Sequence, residues 1–410
     1  MKGKLAPVWI IAMFFCLACS KDKEDDVIPE PETPVVVEPV SLTKQNVTTY
    51  MVDKNATVET VALFYNLKVM AKTSFAVGQQ DAFDGFYKNT GGMSDIKKTT
   101  GNDPALLGSD FIFITDKSNT GQSDNWFYQQ EENTISHVKQ AYENGLINIF
   151  CWHMREPYKE ESFYASDMTA DAKAKAFKSI LPGAENHEWY KKKLDKVASV
   201  FSNLKGANGE LIPVIFRPFH EYDGSWFWWG TDFCTPDEFK AAYRFTVDYL
   251  KNTKGVHNVL YALSPDNSYD TKDKYLSRYP GDDYVDILGM DNYGDMSAGK
   301  GQAGSDLANK KLKVISDLAI EKTKIAAMSE TGYQITPSNT PVTGWFSNYV
   351  YNALTANNIE IAFVMFWGNG GDNYFVPAPS SSNASDFVDF TNKPKVLLQN
   401  ELSDMYSIPN

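Results

Sequence analysis

Arg217, His220 and Glu221 stand together just before four consecutive aromatic residues, Trp226, Phe227, Trp228 and Trp229, and just after a short apolar run, Leu211 to Phe216. A carboxyl group against an apolar wall holds its proton to higher pH than one in water, and flat rings offer surfaces on which sugar faces can stack. The combination points to acid-catalysed cleavage of a glycosidic bond. That chemistry requires a second carboxylate, and Glu330, in Ser329-Glu330-Thr331-Gly332, stands at the end of another apolar run. His220-Glu221 is not a zinc-protease motif, because position 224 is glycine where a second histidine would be needed.

These residues need a scaffold that brings distant strand ends together. Eight short apolar runs bounded by polar or turn residues read as strands: Ser74–Gly78, Asp110–Ile114, Leu146–Cys151, Leu211–Phe216, Asn258–Leu263, Val285–Met290, Lys324–Met328 and Ile361–Phe366. Helical spacing appears between them over 133–142, 188–201 and 305–319. Thr235-Pro236-Asp237-Glu238 predicts a capped helix start running toward Leu250. Continuous apolar strands alternating with helices predict a parallel sheet, and eight of them a (β/α)8 TIM barrel. A doubly wound sheet would need a glycine-rich phosphate turn after the first strand, and Gly78-Gln79-Gln80-Asp81 lacks that spacing.

In a barrel the carboxyl ends of the strands carry the chemistry. There the sequence places Trp152-His153, Arg217 with His220-Glu221, Ser264-Pro265-Asp266-Asn267, Asp291-Asn292-Tyr293, Ser329-Glu330 and Trp367-Gly368-Asn369. Glu221 and Glu330 then face one another across the mouth. A separation of roughly 5–5.5 Å would mean retention of anomeric configuration, and roughly 6.5–9.5 Å inversion.

Taken together, Arg217 to Glu221, Gly224 to Gly230 and Ser329 to Gly332 resemble glycoside hydrolase family 26, whose common members are endo-β-1,4-mannanases. Gly78-Gln79-Gln80-Asp81, Trp152-His153, Leu181-Pro182-Gly183 and Asp291-Asn292-Tyr293 fall in the family's order, so the resemblance covers about residues 55–400. It implies a retaining endo-mannanase with Glu221 as acid/base and Glu330 as nucleophile. It further implies that Tyr293 donates to Glu330, that His153 and His220 contact the sugar or orient the carboxylates, and that Trp226 and Phe227 line the site over a floor formed by Trp367. Arg217 is a nearby cation for Glu330. Some members carry an arginine after the residue matching Trp367; Gly368 stands here, which favours an open, endo-acting cleft. A same-fold β-glucanase or xylanase, and a glycan-binding lipoprotein without the chemistry, stay open as alternatives.

Other features bound the reading. Lys2 and Lys4 precede an apolar run, Leu5 to Ala18, too short to span a bilayer and shaped like a secretory signal. Cleavage before Cys19 and lipidation of its thiol are expected by resemblance to bacterial lipoproteins. The acidic run Lys21 to Asp26 resembles a surface-export tag of the Bacteroides group. The expected organisation is therefore a signal over 1–18, an acidic, proline-rich tether over 19–45 and a catalytic barrel over 46–410. Localisation is expected at the outer membrane of a Gram-negative bacterium, on the cell surface or the periplasmic face.

A net charge of −13 argues against nucleic acid as a partner, which leaves β-mannan and the membrane anchor. No metal-ligand spacing and no cofactor motif appears; Asp282-Asp283 and the acids near Asp266 have the chemistry to bind calcium, but a loop turn is the commoner explanation. Cys151 and Cys234 leave a disulfide open. Trp228 and Trp229 read as packing residues, and His137, His187 and His257, with no partners at useful spacing, as solvated or helix-end residues.

Overall fold

The computed structural model describes residues 40–409. The expected signal, Cys19 and the tether up to residue 39 lie outside the described residues. Eight parallel strands, β1 (Phe75–Gln80), β2 (Leu106–Asp110), β3 (Ile147–Cys151), β4 (Val214–Arg217), β5 (Val259–Leu263), β6 (Ile287–Asn292), β7 (Ile325–Thr331) and β8 (Phe363–Phe366), pair in sequence order, and β1 closes the ring against both β8 and β2. Helices follow the strands, among them Trp126–Glu143, His187–Asn203, Pro236–Asp248 and Gly301–Glu321. The molecule is a (β/α)8 barrel.

Alternation along each strand sorts its side chains into two cores. Ala76, Ile147, Ile149, Ile215, Leu260, Ala262, Ile287, Ile325, Ala327, Phe363 and Met365 fill the barrel. Their neighbours Val77, Phe150, Val214, Phe216, Leu288, Met290, Ala326, Met328, Val364 and Phe366 pack outward against the helices.

The inner core continues into Val47, Leu63, Phe64 and Leu67, so the segment before β1 plugs the amino-terminal end of the barrel. Val52 N donates to Asp286 Oδ1 at 2.8 Å and Lys324 Nζ to the Tyr50 carbonyl at 2.6 Å, pinning the plug to the starts of β6 and β7. Met405 belongs to the same core, and Asn66 Nδ2 donates to the carbonyls of Asp404, Met405 and Ser407.

One strand lies away from its expected position. The run Phe111 to Ile114 forms a turn, and β2 is the preceding Leu106-Leu107-Gly108-Ser109-Asp110. The interior is tight here, since a Cβ on Gly108 would lie 2.8 Å from the Gln80 Cα, as well as 2.3 Å from Gln80 Oε1 and 2.7 Å from Met365 Cε. Phe111 and Ile114 are buried, but under the helix layer. The β6 and β7 strands also run further than expected, so that Asp291, Asn292, Glu330 and Thr331 are strand residues.

The predicted capping box at Thr235 forms: Glu238 N donates to Thr235 Oγ1 at 3.2 Å and Thr235 N to Glu238 Oε2 at 2.8 Å. The α-helix ends at Asp248 and continues as a wider turn over Tyr249–Thr253. Cys151 and Cys234 are buried free thiols, which settles the open disulfide question against pairing.

Candidate active site

Arg217, the last residue of β4, is the hub of the mouth. Its parity follows Ile215, so its side chain points into the barrel, where it is almost fully buried. Nη1 donates to Ser264 Oγ at 2.8 Å and to both oxygens of Asp291 at 2.9 and 3.0 Å; Nη2 donates to Glu330 Oε1. One guanidinium thereby ties together the carboxyl ends of β5, β6 and β7. Asp291 also accepts from Ser329 Oγ at 2.7 Å.

Glu330 reaches this network through a bulge. Met290 pairs with Met328, but the next residue, Asp291, pairs with Glu330; on the other side Met328 pairs with Val364 and Thr331 with Phe366. One extra residue therefore stands in β7. Strict alternation would send Glu330 outward with Ala326 and Met328, into the helix layer. The extra residue turns both Ser329 and Glu330 inward, the kind of re-aiming that bulges provide beside functional sites. Glu330 Oε2 accepts from Tyr293 Oη at 3.0 Å, so each of its oxygens has its own donor.

Glu221 lies on the turn leaving β4. Phe219 and Glu221 adopt left-handed backbone, with φ of 56° and 53°, at a cost on the order of 1–3 kcal/mol each. The turn is held by Glu221 N donating to the Ser264 carbonyl at 2.8 Å and Trp229 Nε1 donating to the His220 carbonyl at 2.7 Å. Trp228 and Trp229 are fully buried, as the packing role requires, and Trp228 Nε1 donates to the Met154 carbonyl at 2.8 Å. Trp226 is exposed and donates from Nε1 to Glu221 Oε2 at 2.6 Å. Burial pushes the Glu221 carboxyl well above the usual range, reinforced by the charges of Glu330, Asp291 and Asp266 and opposed by the Trp226 N–H.

One oxygen each of Glu221, Asp291 and Glu330 lies within 4.8 Å of the others. Three converging carboxylates could hold a cation, but Arg217 already bonds to two of them, so the cluster is an ion-pair network in place of a metal cage.

His153 and His220 form a second layer of the site. His153 Nδ1 faces Asp110 Oδ2 at 2.5 Å, its backbone N–H donates to Asp110 Oδ1 at 3.1 Å, and its Nε2 lies 3.2 Å from His220 Nε2. Burial disfavours a charged His153, but the Asp110 carboxylate outweighs it and the His153 pKa rises. Burial, then the charges of His153 and Arg217, drives the His220 pKa well below its ordinary value. His220 Nδ1 is buried and has no hydrogen-bond partner among the described residues, so its Nε2 contact with His153 is the one polar contact of the ring there. Asp110, which orients this pair, has no signal in the sequence as a site residue: the apolar run places it at the start of a strand, and the structure makes it the end of β2.

Phe227 is buried edge-on to His153, with ring centroids 5.4 Å apart, and Tyr164 stacks on Phe227 at 5.7 Å. Trp367, at the end of β8, stands edge-on to His153 at 5.8 Å and borders a cleft of about 390 Å³ lined by Asp81, Asp84, Gln334, Gly368, Asn373 and Phe375. The structure thus gathers Glu221, Glu330, His153, Arg217, His220, Trp226, Phe227, Tyr293 and Trp367 around one mouth.

Outside it, His187 does open a helix, and the remaining histidines find partners that no sequence spacing shows. His257 Nδ1 meets Asp53 Oδ2 at 2.7 Å, His187 Nδ1 meets the Ile180 carbonyl at 2.9 Å, and His137 packs edge-on against Phe83. Asp223 accepts from the backbone of Asp266 and Ser268, so the acids near Asp266 do build a loop turn.

The profile of glycosyl hydrolase family 26 matches residues 52–355. A mannan endo-1,4-β-mannosidase from Bifidobacterium adolescentis is 35% identical over 372 residues, covering 87% of this chain and 36% of that protein. One from Bacillus subtilis is 28% identical over 223 residues, covering 52% and 57% respectively. The chain thus spans about a third of the first relative and just over half of the second. Among solved structures, GH26C from Muricauda sp. MAR_2010_75 is 53% identical with a TM-score of 0.89, covering 91% of this chain and 100% of that one. A Cellulomonas fimi endo-β-1,4-mannanase double mutant is 30% identical with a TM-score of 0.79, covering 87% and 79%. A GH26 β-mannanase from Bacteroides ovatus is 30% identical with a TM-score of 0.75, covering 86% and 98%.

Proposed function

Because the chain belongs to glycosyl hydrolase family 26, we propose that it cleaves internal β-1,4-mannosidic bonds of mannan, galactomannan or glucomannan as a retaining endo-mannanase. The observation that carries this reading is the close approach of Glu221 and Glu330, with oxygens within 4.8 Å, in two opposed environments. Glu330 has a donor on each oxygen; Glu221 is buried among negative charges that favour its neutral form. Two carboxyl groups so arranged can divide the roles of nucleophile and acid, and a short separation fits retention.

The steps follow from the geometry. The Trp226 N–H occupies Glu221 Oε2, which leaves Oε1 to carry the proton. Glu221 gives that proton to the glycosidic oxygen as Glu330 attacks the anomeric carbon; the C–O bond breaks, the leaving chain departs as an alcohol, and a glycosyl ester forms on Glu330. Glu221, now a carboxylate, takes a proton from water, which attacks the same carbon and releases Glu330. Arg217 and Tyr293 hold Glu330 in line throughout. Trp367 and Trp226 offer ring faces to the sugars on either side, and Asp110 orients His153 beside His220. The glycine at position 368 leaves the cleft beside Trp367 open to further sugar units, which fits endo action.

Substrate choice draws support from the names of the relatives. The test is release of reducing ends from linear mannan, galactomannan, glucomannan, lichenan and xylan, alongside Glu221→Ala and Glu330→Ala. Mixed short products from the mannans, lost in both variants, are expected. Activity confined to lichenan or xylan would overturn the substrate, and inactivity on all five would move the protein to a binding role.

The lysines, apolar run and cysteine of residues 2–19 support a lipid anchor at Cys19, and the acidic run behind it supports export to the outer-membrane surface. Palmitate labelling abolished by Cys19→Ala, with protease access on whole cells, is the expected result; unlabelled native protein would refute it.

A further inference from the structure

Among the described residues, three aromatic side chains are strongly exposed: Trp126, Tyr164 and Trp226. All three lie on loops or helix starts that follow the carboxyl ends of β2, β3 and β4, the face that carries the carboxylates. Trp226 contacts Glu221 and Tyr164 stacks on the buried Phe227, so both belong to the site already described. Trp126 does not. It is 51% exposed and opens the helix Trp126–Glu143, where its ring meets Phe113 at 4.9 Å and 74° and Phe127 at 5.0 Å and 87°.

The position of this aromatic group is informative. Phe113 stands three residues after Asp110, the carboxylate that holds His153, so the cluster rises from the rim of the same mouth. Its loop is pinned: Asn119 Nδ2 donates to Glu131 Oε2 at 2.7 Å, Asn125 caps the helix by accepting from Tyr128 N at 3.0 Å, and Asp116 pairs with Arg155. A large ring is thus held exposed on a rigid support, and desolvating such a ring has value only if something flat and partly apolar covers it. Exposed polar residues, Gln122, Ser123 and Asp124, precede it. The net charge of −13 disfavours an anionic lipid surface or a nucleic acid, whereas a neutral sugar face meets no such repulsion.

We propose that Trp126, backed by Phe113 and Phe127, is a distal stacking platform for an extended neutral polysaccharide, engaging sugar units well removed from the bond that Glu221 and Glu330 cut. This rests on the glycosidase reading above. The platform makes the enzyme sensitive to chain length, because a long polymer reaches it and a short oligosaccharide seated over the carboxylates does not.

The test compares kcat/KM on linear mannan with kcat/KM on mannotetraose for the wild type, Trp126→Ala and Trp126→Phe. In Trp126→Ala the ratio of polymer to tetrasaccharide is expected to fall about three- to tenfold, the scale of one lost aromatic contact, through KM on the polymer. Trp126→Phe should recover most of it. Retardation of Glu330→Gln in a mannan-containing native gel should weaken when Trp126→Ala is added. An unchanged ratio and unchanged retardation, with the wild type active on mannan, would overturn the platform alone. A wild type inactive on mannan would overturn the active-site reading and the platform with it.

Discussion

Replacing Trp226 with phenylalanine isolates one interaction that tunes Glu221, the proposed proton donor. The ring face survives, but the N–H that donates to Glu221 Oε2 at 2.6 Å is lost. That bond favours the charged form of Glu221, against burial and the neighbouring Glu330, Asp291 and Asp266. A hydrogen bond to an ionised group contributes about 1.5–3 kcal/mol and one to a neutral group about 0.5–1.5. The difference, ~1 kcal/mol, corresponds to somewhat under one pH unit. Because Trp226 is 39% exposed, water replaces part of the lost bond, and the expected rise in the Glu221 pKa is about half a unit. The alkaline limb of kcat/KM reports loss of the proton from Glu221 in the free enzyme. It should therefore move to higher pH in Trp226→Phe, whatever happens to KM. The assay is kcat/KM on mannopentaose from pH 5 to 10 for both proteins. An alkaline limb that stays in place, or moves to lower pH, would refute the link between the indole and the acid.

Two further predictions concern the same carboxylates. Arg217→Met removes the guanidinium that bonds to Asp291 and Glu330 and leaves two buried carboxylates without their cation; unfolding in urea should show a loss of about 3–5 kcal/mol. Glu221→Gln should stabilise the fold selectively. A carboxyl whose pKa is raised by folding contributes stability below its unfolded pKa and loses it as pH rises through its folded one. The neutral amide escapes that loss, so the melting temperature of Glu221→Gln should exceed that of the wild type at pH 9 and match it at pH 4.

Much of this site is legible in the sequence because it lies where chemistry and periodicity coincide. Arg217 to Trp229 follows an apolar strand, and Glu330 follows another, so periodicity alone puts both at the barrel mouth. Packing overrules the sequence where the interior asks for small residues. The run Phe111 to Ile114 has the look of a strand, yet Leu106 to Asp110 is the strand, and its inward Gly108 leaves room for Gln80 and Met365. That displacement also hid Asp110, whose role depends on reaching His153 two residues past the end of β3. The bulge in β7 is invisible for a related reason. It is a property of the pairing with β6 and β8, and nothing in Ser329-Glu330-Thr331 announces an extra residue. The partners of His257 and His187 were likewise missed because Asp53 is distant in sequence and the Ile180 acceptor is a backbone group.

The plug at the amino-terminal end of the barrel has a practical consequence. Val47 and Met405 share one core there, so the described chain both enters and leaves at the pole opposite the carboxylates. A reporter, an affinity tag or a second enzyme joined directly before residue 40 or after residue 409 would attach beneath the barrel and leave the carboxylate face clear. Immobilised on a bead through either of those two points, the barrel would present its carboxylate face outward.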